Sequence, residues 1–83
     1  SFTVYPNPGT DQAYLRMDLE GPQVVQVRIM DAQGRVCHQD RVDCPEGVSV
    51  LPLATAGWPQ GVYLVEVKHK GTFGLQRLMI HRN

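Results

Sequence analysis

Two cysteines and three histidines, Cys37, Cys44, His38, His69 and His81, are the side chains here most often found doing chemistry. Cys37-His38 is the one neighbouring thiol–imidazole pair. A nucleophilic thiol needs its base within hydrogen-bond reach, but adjacent residues on a strand point to opposite faces. The pair therefore reads as two ordinary strand positions. Zinc asks for four ligands, usually as two close pairs such as C-x2-C or H-x3-H, and the spacing here supplies none. Acidic residues fall singly in turns and on solvent faces, so no carboxylate pair is suggested. Asp31-x-x-Gly34 lacks the alternating oxygen ligands of a calcium loop, and no glycine-rich phosphate loop is present. No catalytic group, metal or cofactor is expected.

The remaining candidates concern bonding and binding. Cys37 and Cys44 stand seven residues apart. On a straight strand they face opposite ways, so a disulfide would need a turn or bulge near Asp43-Cys44-Pro45; free thiols are the alternative. The pair is compatible with an oxidising compartment. Tyr5, Tyr14, Trp58 and Tyr63 could form a sugar-stacking platform, or Trp58 and Tyr63 could be core. Lys68, Lys70, Arg77 and Arg82 cluster late in the chain, as a solvated hairpin face or as a recognition surface.

The elements that would position these residues are short strands. The 83 residues suffice for one core, and the whole chain, 1–83, is read as a single domain. Eight basic residues balance eight acidic ones, which argues against nucleic acid and against docking on anionic lipid. No apolar run reaches the roughly 20 residues of a membrane helix, and no signal peptide opens the chain. The chain reads as a soluble module, cut from a longer precursor.

Periodicity of two runs almost throughout. Phe2 to Tyr5 is a short edge strand that breaks at Pro6-Asn7-Pro8 into a stiff turn. Ala13, Leu15, Met17 and Leu19 alternate with polar residues, as do Val25, Val27 and Ile29. Asp31-Ala32-Gln33-Gly34 is a hairpin turn, followed by a strand from Arg35 to Val42. Pro45-Glu46-Gly47 turns into Val48 to Leu53. Ala54 to Gln60 is a loop with Trp58 as its apolar plug. Val62 to Val67, apolar on both faces at first, reads as the most central strand. His69-Lys70-Gly71-Thr72 then closes a hairpin into Phe73 to His81. Seven short strands with Gly/Pro turns predict an all-β, antiparallel, Ig-like β-sandwich.

Four stretches, in order, resemble one family. Val4-Tyr5-Pro6-Asn7-Pro8 looks like its opening motif, and Val27 to Val36, with the Asp31-x-x-Gly34 turn, is similar to its central hairpin. Pro59-Gln60-Gly61-Val62-Tyr63 through Val67 resembles its penultimate strand. Gly71 with Gln76-Arg77-Leu78-Met79-Ile80 looks like its closing strand. The family is the type A C-terminal sorting domain of the type IX (Por) secretion system of Bacteroidetes.

The resemblance implies a secretion signal that follows an N-terminal cargo in one precursor. It implies recognition in the periplasm by an outer-membrane translocon and its shuttle protein. A cell-surface sortase then usually removes the domain, at or just before Ser1, and joins the cargo to lipopolysaccharide. The destination is the outer membrane, the cell surface or the medium. Recognition is expected of Gly61, Tyr63, Gly71, Arg77, Leu78 and Ile80, with Tyr5, Pro6, Asn7, Pro8, Asp31 and Gly34 as family turns. An exposed strand edge nearby could pair with a receptor strand, or make dimers. Arg77 stands where lysine is common, Trp58 where leucine is usual, and the two cysteines lie outside the pattern. The alternative is an accessory Ig-like module, carbohydrate-binding or adhesive, on a surface protein.

Overall fold

Alternating apolar residues become strands wherever a second sheet can cover them, and that condition is met along nearly the whole chain. The computed structural model describes residues 2–9 and 11–82. Its strands are β1 (Phe2–Tyr5), β2 (Gln12–Leu19), β3 (Gln23–Met30), β4 (Val36–Cys44), β5 (Gly47–Ala54), β6 (Gly61–His69) and β7 (Thr72–Ile80). One sheet has the order β1-β2-β5 and the other β4-β3-β6-β7. Every ladder is antiparallel. The expected seven-stranded β-sandwich is what forms.

The inward rows meet between the sheets. Val4, Leu15, Met17 and Leu53 from the first sheet pack against Val25, Val27, Ile29, Val65, Val67, Leu78 and Ile80 from the second, all buried. A buried aliphatic side chain of this size contributes about 1.5–3 kcal/mol, which sets the register of each strand, since a slip by one residue would expose its whole row. β6 lies between β3 and β7, as its two-sided apolar start predicts.

β4 pairs with β3 from Gln23↔Cys44 to Met30↔Val36. In the constant-type immunoglobulin arrangement the fourth strand joins the first, second and fifth; here it has moved across. Its connection to β5 is therefore a corner between sheets. Because Ile29 faces His38 and Met30 faces Val36, Cys37 is the extra residue of a β-bulge.

The structure does not join Cys37 to Cys44. Both thiols are free, Cys37 exposed and Cys44 buried. They sit near opposite ends of β4, roughly 23 Å apart at about 3.3 Å per residue, far beyond the span of a disulfide. The bulge of this strand lies at Cys37, and not near Asp43-Cys44-Pro45, where a disulfide would have needed one.

These registers divide the sandwich, 40 Å along its longest axis, into two poles. The hairpin pole holds Phe2, the β2–β3 and β4–β5 connections and the Lys70-Gly71 turn. The C-terminal pole holds Tyr5–Gly9, Asp11, Asp31–Arg35, the β5–β6 loop and Ile80–Arg82. At the hairpin pole Lys70 and Gly71 both have positive φ, 47° and 75°, the geometry of a tight hairpin turn.

β1 is only four residues long, and its start is held by Phe2, whose ring covers Gly74. A Cβ at position 74 would overlap that ring, whereas one at Gly21 would meet nothing. Gly74→Ala is expected to push the half-buried Phe2 ring aside and lower unfolding free energy by about 1 kcal/mol, the low end of overpacking costs, because a ring tip and not backbone has to move. Gly21→Ala should leave it within about 0.5 kcal/mol. Urea titration of both variants checks the difference.

Candidate functional site

The C-terminal pole is built around the outer edge of β7. Pro6 and Pro8 carry no N–H, so the turn after β1 has few backbone donors of its own to satisfy; both preceding peptide bonds are cis. Asn7 lies between them with its amide turned onto β7. Its Nδ2 donates to the Arg77 carbonyl at 2.8 Å, and its Oδ1 accepts from the Met79 N–H at 3.0 Å. Gly9 continues the contact. Its N–H donates to the Met79 carbonyl at 2.7 Å and its carbonyl accepts from the His81 N–H at 3.0 Å, a parallel bridge opposite Ile80. One step earlier, the Val4 N–H donates to Gln76 Oε1 at 3.2 Å. Asn7 and Gly9 therefore strap the backbone edge of β7 from Arg77 to His81, and Val4 adds a bond to the Gln76 side chain.

A second fastening lies beside the strap. The Arg82 guanidinium donates to the Thr55 carbonyl at 2.7 Å, to the Trp58 carbonyl at 3.2 Å and to Asp11 Oδ1 at 2.8 Å. The Arg82 backbone N–H donates to Gln60 Oε1 at 2.9 Å. A planar fork with several fixed donors suits such a multi-point anchor. Arg82 thus ties the end of the chain to the β5–β6 loop.

That loop is fixed by aromatics. Trp58 and Tyr63 stack at 5.1 Å between ring centroids, and the Tyr63 hydroxyl donates to the Pro59 carbonyl at 2.6 Å. Burial pushes the Tyr63 pKa up, so the hydroxyl keeps the proton it donates. Facing the loop is the β3–β4 turn, with a groove of about 270 Å³ between them. In the turn, Gly34 has φ 87°. Asp31 Oδ1 accepts from the N–H groups of Gln33 and Arg35, and Oδ2 from Arg35 Nε at 3.0 Å. The Arg35 N–H is the largest cause holding the Asp31 carboxyl below its usual range. Burial opposes it, while the Arg35 side chain and the Gln33 N–H reinforce it.

Most of the residues singled out in the sequence meet at this pole, in different capacities. Tyr5, Pro6, Asn7, Pro8, Asp31, Gly34, Gly61 and Tyr63 are all there. Leu78 and Ile80 are buried in the core, so they hold β7 down and present nothing to a partner. Arg77 is exposed on the outer face of its sheet. Gly71 is in the turn at the other pole.

The four aromatic rings form no common platform. Tyr5 pairs with Tyr14 at 5.6 Å on the outside of the first sheet, while Tyr63 is buried against Trp58. The basic cluster is split as well, because Arg82 turns into its anchor. Among the described residues no three of His, Cys, Asp and Glu gather as a metal site. No helix among them is long and apolar enough to cross a membrane. Sequence reasoning missed the roles of Gly9, Asp11, Gln76 and Arg82, whose partners lie at least twenty residues away.

The family described as the secretion system C-terminal sorting domain matches residues 3–81. The chain belongs to this family. It is a sorting domain of the type IX secretion system, a signal for export toward the cell surface or the medium. Family members are tails of cargo precursors, and the family is not one of enzymes. No curated protein matches the chain.

Two outcomes follow from this geometry. Asn7→Ala removes both side-chain bonds to β7, worth about 1 kcal/mol; the Met79 amide should then exchange with solvent roughly five-fold faster, as NMR exchange rates would register. Asp31 has a depressed folded pKa, so its contribution is complete above the unfolded value of about 3.9. That contribution is lost as pH falls through the lower folded value. Thermal melts of the sorting domain should fall over that acid range relative to those of Asp31→Asn, which has no carboxyl to protonate.

Proposed function

We propose that residues 1–83 act as one sorting unit, following an N-terminal cargo in a single precursor. Its reader is the outer-membrane translocon with the shuttle protein. A cell-surface sortase then cuts at or just before Ser1 and joins the cargo to lipopolysaccharide. In that reaction the domain is a substrate and supplies no catalytic group. It passes through the periplasm and is left behind once the cargo is at the outer membrane.

The observation that carries this reading is the gathering of family-like motifs at one pole of the sandwich. The opening turn straps β7, the Asp31 turn and the Pro59–Tyr63 segment face each other across a groove at the same pole, and Arg82 ties the β5–β6 loop to the end of β7. A folded, fixed pole is what a receptor can read repeatedly on different cargoes. Phe2 lies at the opposite pole, Phe2 pairing with Met17 while Tyr5 pairs with Tyr14. Cargo preceding Phe2 therefore enters at the far end of the 40 Å axis. A receptor holding the C-terminal pole leaves that junction open to a protease.

Recognition by adding a receptor strand to β7 fits less well than its sequence suggested. From Arg77 to His81 that edge is already occupied by Asn7 and Gly9, so a receptor strand pairing there would first have to displace the strap. The accessory-module alternative loses its aromatic platform, split between two places.

The test fuses the chain to a periplasmic reporter in type IX hosts with and without the translocon. Surface or extracellular reporter is expected only where the translocon is present, and equal delivery in both strains sinks the proposal. Deleting Leu78 to Asn83 should also abolish delivery, but Leu78 and Ile80 are core residues. Arg82→Ala is the cleaner variant, since it frees the chain end and leaves the core intact; it is expected to reduce delivery.

A further inference from the structure

Strand β7 points Gly74, Gln76, Leu78 and Ile80 inward and Phe73, Leu75, Arg77 and Met79 outward. The solvent row of an antiparallel sheet is normally polar. β2 obeys with Gln12, Arg16 and Asp18, and β4 with Gln39, Arg41 and Asp43. β5 and β7 do not. On β5 Val48 and Val50 are 53% and 49% exposed but stand opposite the charged Asp18 and Arg16; on β7 Phe73 and Leu75 are each 52% exposed and Met79 47%. β6 sets Val62 opposite Met79 and Leu64 opposite Arg77, and β3 sets Met30 opposite Leu64. The strap, the Arg82 anchor and the core use none of these side chains. Contiguous exposed apolar surface of this kind marks an interaction site.

Two exposed cations lie on this face: Lys68 at its hairpin end, opposite Phe73, and Arg77 within the stripe, between Leu75 and Met79 and opposite Leu64. Arg77 is exposed and has no ion pair among the described residues. Glu66, diagonal to it, is held by Arg28 at 3.2 Å. Arginine within an apolar surface is a common binding hot spot, because its fork pairs with a carboxylate once water is excluded.

We infer that the outer face of β6 and β7 docks a second protein, one that presents apolar side chains around a carboxylate placed to meet Arg77. A second copy of this chain fits poorly. In a two-fold pair each Arg77 would meet the same stripe of the partner copy, and that stripe offers no free acid, since Glu66 is held by Arg28. The inference rests on the sorting reading, in which this protein is the component of the export machinery that first holds the domain.

The experiment uses the reporter fusion in a type IX host. Leu75→Gln/Met79→Gln and, separately, Arg77→Glu alter the stripe; Arg77→Lys keeps its charge. Val48→Gln/Val50→Gln alters exposed valines on β5, 53% and 49% accessible, as the control. Each fusion is purified from translocon-deficient cells and melted, with Tm shifts for the domain of no more than about 4 °C expected at such exposed sites. Export should fall about ten-fold or more for the double stripe variant and for Arg77→Glu. It should stay within about two-fold of the parent for Arg77→Lys and for the β5 control.

Parent-like export of folded stripe variants overturns the docking face while leaving the sorting reading intact. Export of the unaltered fusion without the translocon overturns the sorting reading itself. Sedimentation of the purified fusion supplies the last arm. A dimer that Leu75→Gln/Met79→Gln dissolves would give the face to a second copy and overturn the inference.

Discussion

The closed edge of β7 is the constraint on which the C-terminal pole depends. β7 is the outermost strand of its sheet, and an open edge offers alternating donors and acceptors to any strand that arrives. Asn7 answers two of them with one group. Arg77 presents a carbonyl and Met79 an N–H, and a primary amide carries a donor and an acceptor on one small plane. Aspartate would set a second acceptor against the Arg77 carbonyl. Gly9 then completes the edge through its backbone, where it is buried against Leu78 and Ile80, with Ile80 Cδ1 3.5 Å from where a Cβ would sit.

This closure ties the beginning of the chain to its end. The Asn7 and Val4 bonds to β7 bridge separations of 70 to 72 residues, and Arg82 to Asp11 spans 71. Such contacts bring loop-closure cost and slow folding. In return, a domain of this size, which buries only about 60% of its unfolded surface, gains fixed points where a small sandwich would fray. The strap has no β7 edge to bind until β6 and β7 have paired, so the pole is complete only when the whole chain is folded. A receptor reading this pole would be reading foldedness as well as identity.

Much of this was legible in the sequence, and the failures have physical causes. Alternation located all seven strands, because burial of one face in two is a local pattern; bounds moved by one or two residues at most ends, as at Cys44, where the expected strand stopped at Val42. Alternation reports a face and carries no information about the neighbour. Nothing in Val36–Cys44 indicated that it would cross to the second sheet, and nothing near Asn7 indicated Arg77 and Met79. The Asp31 turn was readable because its partners lie within four residues. The latch of Arg82 was not, because its partners come from separate segments.

The candidate recognition residues show the same division more sharply. A family resemblance selects positions in a strand without separating those that hold it from those that display it. In Arg77-Leu78-Met79-Ile80 the two kinds alternate: Leu78 and Ile80 are 0% and 2% exposed, and Met79 is 47% exposed. Backbone recognition along this segment competes with the strap, whereas side-chain recognition does not, since the strap approaches the edge and leaves the outer face clear. The edge is already hydrogen-bonded, and the outward row carries apolar residues that solvent alone would not favour. The face is therefore the part of β7 left to be read.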